Sequence, residues 1–105
     1  MRIAQTQVTG VGTSPWLPLD QYTEGYGDGV FVNPGAGATV SVEVTPDDVF
    51  NPAVVPVAYP CGVASLTGAT TKQAAALLYA AKAVRLNQTV GGTLSTLQVA
   101  VRGVG

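Results

Sequence analysis

Histidine is absent from this chain, and cysteine occurs once. Without imidazole, the usual Ser–His and Cys–His nucleophile pairs and His-bound zinc are excluded. A single thiol, Cys61, leaves no intrachain disulfide and no thiolate metal cluster. It also has no basic partner to lower its pKa, and its flanks Pro60 and Gly62 read as a turn, so a small, inert, partly buried cysteine is expected. Charge is scarce: Asp, Glu, Lys and Arg make up 10% of the residues, against roughly 25% in an ordinary soluble domain. The formal net charge is −1 and the basic residues are scattered. There is thus no electrostatic case for nucleic acid or an anionic membrane. The longest apolar run, Ala74 to Ala81, is too short to span a bilayer. No basic segment followed by an apolar stretch opens the chain, so no signal peptide is expected. A phosphate-binding Gly-Lys-Ser/Thr loop is missing, and Gly10-Val11-Gly12 lacks the third glycine of a dinucleotide fingerprint. The expectation is a protein with no catalytic site, no cofactor and no bound metal.

What is present points to strands. The 105 residues suffice for one domain with a real core, residues 1–105. Thirteen Gly and seven Pro among many Val, Thr and Ser favour short strands joined by frequent turns. The clearest strand is Ala38 to Thr45. Ala38, Val40, Val42 and Val44 take one face, and Thr39, Ser41, Glu43 and Thr45 the other. Strict period two marks a strand with one wet face.

Lys82 to Arg102 reads as a β-hairpin turned at Gly91-Gly92, where a two-residue turn needs positive φ. That register pairs Val84 with Val99, Leu86 with Leu97, Gln88 with Ser95, Val90 with Thr93 and Lys82 with Val101. The opposite face then carries Ala83/Ala100, Arg85/Gln98, Asn87/Thr96 and Thr89/Leu94, and is mostly polar. On this reading the valines of 38–44 cover the apolar side of the hairpin. Two such faces, at roughly 1.5–3 kcal/mol per buried Val or Leu, supply a substantial core. The Arg85 stem is expected to lie along Thr96 and Gln98, with an inter-subunit pairing of Arg85 as the alternative.

The remaining segments are weaker. Ile3 to Val11 reads as a strand of poor alternation, and residues 1–12 as an edge strand or an N-terminal arm. Trp16-Leu17-Pro18-Leu19-Asp20 is confined by its prolines to an edge or an extended segment, with Trp16 as a core or interface anchor. Gln21 to Gly29 is a loop bearing Tyr22 and Tyr26. Asp20, Glu24 and Asp28 recur every four residues there, which does not match the alternate acids of a calcium loop. Val30-Phe31-Val32 is a short strand closed by an Asn33-Pro34-Gly35 turn. Thr45 to Pro52 is a loop or one helical turn, with Thr45 as cap and Asp47 and Asp48 at its positive end. Val54 to Val57 and Ala58-Tyr59 are short extended pieces. Thr70 to Ala81 has helix propensity but runs into Lys82 with no Gly or Pro stop, which predicts a short helix or helical turn around Thr71 to Ala75, within 71–80, followed by an extended approach.

Three stretches carry a resemblance. They are Trp16-Leu17-Pro18-Leu19-Asp20; Ala38-Thr39-Val40-Ser41-Val42-Glu43-Val44-Thr45 leading to Asp47-Asp48-Val49-Phe50; and Lys82-Ala83-Val84-Arg85-Leu86-Asn87 with Leu97-Gln98-Val99-Ala100-Val101-Arg102-Gly103. Together they resemble small β-sandwich structural proteins of tailed-bacteriophage virions. The Ala-rich stretch from Thr71 to Ala81 departs from that pattern. The resemblance implies an all-β, compact antiparallel sandwich of jelly-roll or Ig-like type. It implies a capsid decoration (cement) protein on the phage head, made in the host cytoplasm. Its partners would be the major capsid protein or another virion protein and copies of itself, as a dimer or trimer. A head-fibre or tail-appendage subunit is one alternative. The other is a carbohydrate- or receptor-binding module using Tyr22, Tyr26 and Tyr59. The expected interface residues are Trp16, Tyr22, Tyr26, Tyr59 and Arg85.

Overall fold

The computed structural model describes residues 2–18, 29–76 and 82–101. They form an all-β, antiparallel sandwich of two sheets. One sheet has the order β1-β9-β4-β7, built from β1 (Arg2–Val8), β9 (Ser95–Val101), β4 (Gly29–Asn33) and β7 (Gln73–Ala76). The other has β2 (Gly12–Thr13) and β3 (Leu17–Pro18) side by side on one edge of β8 (Ala83–Val90), followed by β5 (Thr39–Thr45) and β6 (Tyr59–Pro60). The N-terminal segment β1 is an edge strand, paired with β9 from Arg2↔Val101 to Val8↔Ser95.

Alternation assigns the faces correctly along most of these strands, but not at their ends: Val90, expected inside, is exposed, and Thr45 and Ala83, expected outside, are buried. Val40, Val42 and Val44 are buried, as are Val84, Leu86, Leu97 and Val99, which are fully enclosed. Val30 and Val32 from β4 join them. The pairing, however, differs from the hairpin reading. β8 and β9 share no ladder: β8 bonds to β5, with Leu86 opposite Val42 and Val84 opposite Val44. β9 bonds to β1 and β4, with Leu97 opposite Val32 and Val99 opposite Val30. The segment 91–94 therefore carries the chain from one sheet to the other as an arch. Two strands with one apolar face each bury those faces as well across a sandwich as beside one another, and the sandwich also gives both strands two ladder neighbours. Neither Gly91 nor Gly92 has positive φ. Gly92 serves close approach instead, since a Cβ there would stand 2.7 Å from Ala36 O and Ala38 N.

Among the described residues, four crossings between sheets gather at this end: β1 to β2, Ala69 to β7, β4 to β5, and β8 to β9. The last two interlock. Ala36 N–H donates to Thr93 Oγ1 (2.8 Å), Thr93 N–H to Ala36 O (3.3 Å) and Gly35 N–H to Ser95 Oγ (2.9 Å). The Ser95 hydroxyl donates in turn to the buried Gln88 Oε1 at 2.6 Å. Gln88 and Ser95 do meet, but across the arch rather than across a hairpin. Gln88 Nε2 is buried without a hydrogen-bond partner, at a cost of about 1–3 kcal/mol.

The Pro-bearing edge behaves as its sequence requires. β2 and β3 are one edge strand interrupted at Ser14-Pro15-Trp16, where Pro15 has no N–H to offer β8. Ser14 repairs the gap: its Oγ accepts from Leu86 N–H at 2.9 Å while its own N–H donates to Leu86 O at 2.8 Å.

The helix expected around Thr71 to Ala75 is not formed; Gln73–Ala76 is strand β7, paired with β4. Helix propensity amounts to a few tenths of a kcal/mol per residue. The exposed ladder of β4 offers hydrogen bonds and burial that outweigh it. Residues 77–81 lie outside the described residues. One helical turn is present where none was expected, a 3-10 turn at Ala64–Leu66 that seats Leu66 fully in the core. Cys61, expected to be partly buried, is fully buried in the same core.

Candidate functional site

Two outward regions hold most of the residues singled out by sequence. On the outer face of the β8–β5 sheet, Glu43 lies opposite Arg85 and Ser41 opposite Asn87. Arg85 Nε donates to Glu43 Oε1 at 2.8 Å, and Asn87 Nδ2 to Glu43 Oε2 at 3.3 Å. Leu17 faces inward opposite Val84, so Trp16 falls on the outer side. There its ring covers the guanidinium, 4.4 Å from Arg85 Cζ to the ring centroid. Trp16, Arg85, Glu43 and Asn87 thus form a linked set, in which the ring covers the guanidinium and the two Glu43 oxygens accept, one from Arg85 and one from Asn87. The expected contact of Arg85 with Thr96 and Gln98 is not made, because β9 belongs to the other sheet.

Tyr59 lies on β6, opposite Val44 and on the far side of β5 from Arg85. Its side chain is half exposed. Tyr22 and Tyr26, and the acids Asp20, Glu24 and Asp28, lie outside the described residues.

Tyr59, an expected interface residue, ends a segment whose other side chains were not expected to form a surface. Phe50 is 73% exposed, Val55 85%, Val57 54% and Tyr59 50%. The backbone beneath them is held by short polar side chains rather than by helix. Asp47 Oδ2 accepts from Val57 N–H at 2.7 Å, and Thr45 Oγ1 from Asp47 N–H at 3.1 Å. Asp48 Oδ1 accepts from Phe50 N–H at 2.9 Å and Asn51 Oδ1 from Ala53 N–H at 3.0 Å. The last three are ST and Asx turns, and the Val57–Asp47 bond ties the far end of the segment back to them. The adjacent carboxylates Asp47 and Asp48 are therefore committed to turn-making and do not converge on a common point. The sequence signal for this segment is its alternation of apolar residues with Pro46, Pro52, Pro56 and Pro60, which stiffens the chain without burying it. At the arch end, Val11, Val90 and Leu94 are also exposed, at 73%, 52% and 48%.

Among the described residues, no three His, Cys, Asp or Glu side chains group to hold a metal ion. Cys61 is buried, its Sγ 3.9 Å from Val63 O. The chain matches no protein-family model, and no curated protein or solved structure is significantly similar to it.

Proposed function

We propose that this chain is a non-enzymatic structural protein of a bacteriophage virion, a capsid decoration (cement) protein that binds the head surface and stiffens it. One observation carries the reading: the turn-clamped segment from Phe50 to Tyr59 holds four large apolar side chains in solvent. Isolated apolar residues on a surface are ordinary, whereas a run of them on an ordered loop marks a contact site. Because hydrogen bonds from Asp47, Asp48 and Asn51 already order the backbone, little conformational entropy is lost when a partner covers it. The scarcity of charge, with Arg85 and Glu43 already paired to each other, fits a surface that meets other protein rather than water or nucleic acid. Many modest contacts repeated over a symmetric shell sum to tight attachment. The partner in this reading is the major capsid protein or another virion protein, with self-association into a dimer or trimer.

The test mixes purified protein with phage heads that lack it. Stoichiometric binding and a rise in the heat resistance of the heads are expected. Val55→Asp and Phe50→Asp should abolish both while leaving the circular dichroism spectrum unchanged, since neither side chain contributes to the core. A wild-type protein that stays monomeric at high concentration and leaves the heads unbound overturns the proposal.

A further inference from the structure

The outer face of the β1-β9-β4-β7 sheet differs in kind from everything described so far. It encloses a groove of about 560 Å³, within the range of small-ligand sites, roughly 300–1,000 Å³. Its floor is made of side chains that alternation turns outward: Gln5 and Gln7 from β1, Thr96 and Gln98 from β9, and Phe31 and Asn33 from β4. The ladder places them in rows. Gln5 lies opposite Gln98, and Gln98 opposite Phe31; Gln7 lies opposite Thr96, and Thr96 opposite Asn33.

The amides are oriented before any ligand arrives. Gln98 Nε2 donates to Gln5 Oε1 at 2.9 Å, and Gln7 Nε2 to Thr96 Oγ1 at 3.3 Å. These pairings do not use Gln98 Oε1, Gln5 Nε2 or Gln7 Oε1, so an acceptor, a donor and a second acceptor remain over the groove. Phe31 supplies an apolar floor. Its ring leans back along its own strand over Gly29, where a Cβ would stand 3.2 Å from Phe31 Cε2 and 3.4 Å from Cζ. Glycine at 29 thus lets the ring lie against the sheet with its other side toward solvent, and Phe31 is 47% exposed.

We propose that this groove binds a neutral oligosaccharide, one sugar stacking its C–H face on Phe31 while its hydroxyls bond Gln5, Gln98 and Gln7. A hydroxyl both donates and accepts, and so matches the two poles of a carboxamide. A pyranose presents an apolar face that suits an aromatic ring. Among the described residues lining the groove, Lys72 is the one charged side chain and no carboxylate is present. Phosphorylated, sulfated and carboxylated ligands find only Lys72 to neutralise them there, and cations find no anionic side chain among the described lining residues. An extended peptide is recognised chiefly through free backbone at a sheet edge, whereas this floor spans the middle of the sheet. The site is independent of the Phe50–Tyr59 segment, which belongs to the other sheet and to different residues.

The experiment titrates the purified chain, observed by 1H–15N NMR, with neutral gluco-, galacto- and manno-oligosaccharides. A sulfated oligosaccharide and an unstructured neutral peptide run in parallel. A neutral sugar should shift the amides of Phe31, Thr96 and Gln98. Phe31→Ala should weaken binding about tenfold or more, and Phe31→Trp should retain it. Gly29→Val, which keeps the ring but forces it off the sheet, should weaken binding too, and Trp16→Ala should not. The proposal is overturned if no neutral sugar shifts those amides. It also fails if only the sulfated ligand or the peptide does, or if Phe31→Ala and Gly29→Val bind as well as wild type. Phe31 lies outside the core, and Phe31→Trp reports on the site even if the alanine variant is poorly folded.

Discussion

The two outer faces of the sandwich are made from the same alternation yet hold their polar groups differently. On the β8–β5 face, Trp16, Arg85, Glu43 and Asn87 are linked around an ion pair: ring over guanidinium, guanidinium to carboxylate, amide to carboxylate. On the β9–β4 face, the amides of Gln5, Gln7 and Gln98 are only half engaged and Phe31 faces out between them. The first arrangement spends its polar groups on the fold itself. The second leaves donors and acceptors aimed at a groove. An ion pair covered by a ring therefore separates a surface that steadies the sheet from one of neutral amides around an exposed ring, even where both combine an aromatic with polar neighbours.

That contrast can be broken from the core outward. Leu86 and Leu97 are both fully buried, one on each sheet. Leu86→Ala and Leu97→Ala should each lower the unfolding free energy in urea by about 2–5 kcal/mol, because the two faces share one core. A loss confined to one of them would mean that the sheets do not depend on each other. Next in size is Ser95→Ala, which strips an acceptor from Gly35 N–H and a donor from Gln88 Oε1. A cost of about 1–3 kcal/mol is expected, with faster amide exchange at 35–38 and 91–94.

Arg85→Ala removes the ion pair and the ring contact together. Both partners are partly exposed, so about 1 kcal/mol is expected, read as a drop in the thermal midpoint of roughly 4–8 °C. Gln98→Ala, on the other face, should change stability by no more than about 0.5 kcal/mol while reducing saccharide binding. If Gln98→Ala proves more destabilising than Arg85→Ala, the distinction between an ion-paired face and an open, neutral one does not hold.

Much of this was legible in the order of residues, for a definite reason. Burial in a strand depends on period two, and Val40, Val42 and Val44, like Val84, Leu86, Leu97 and Val99, lie where that period puts them. Pro15 and Pro18 point to an edge because they lack an N–H, and an edge is where they are. The groove is less legible. Gln5, Gln7, Thr96 and Gln98 stand on outward positions, but nothing local brings β1, β9 and β4 side by side. The Phe50–Tyr59 surface was hidden for the opposite reason: apolar residues between prolines look like short strands until one knows that nothing covers them.

Alternation and proline placement determine, within single segments, which side chains turn inward and which strands can stand in the middle of a sheet. Neither can determine who neighbours whom. Gly91-Gly92 permits a hairpin and an arch alike, and Leu86 meets Leu97 within one core in either case. In the arch β8 and β9 each have ladder partners on both sides, and Gly35–Ala38 is locked against Gly92–Thr93. Likewise the alanines of Gln73–Ala76 would coil in isolation, and become strand only because β4 holds a row of backbone groups open beside them. Local preference is worth tenths of a kcal/mol per residue, and long-range hydrogen bonds and burial overrule it wherever they compete.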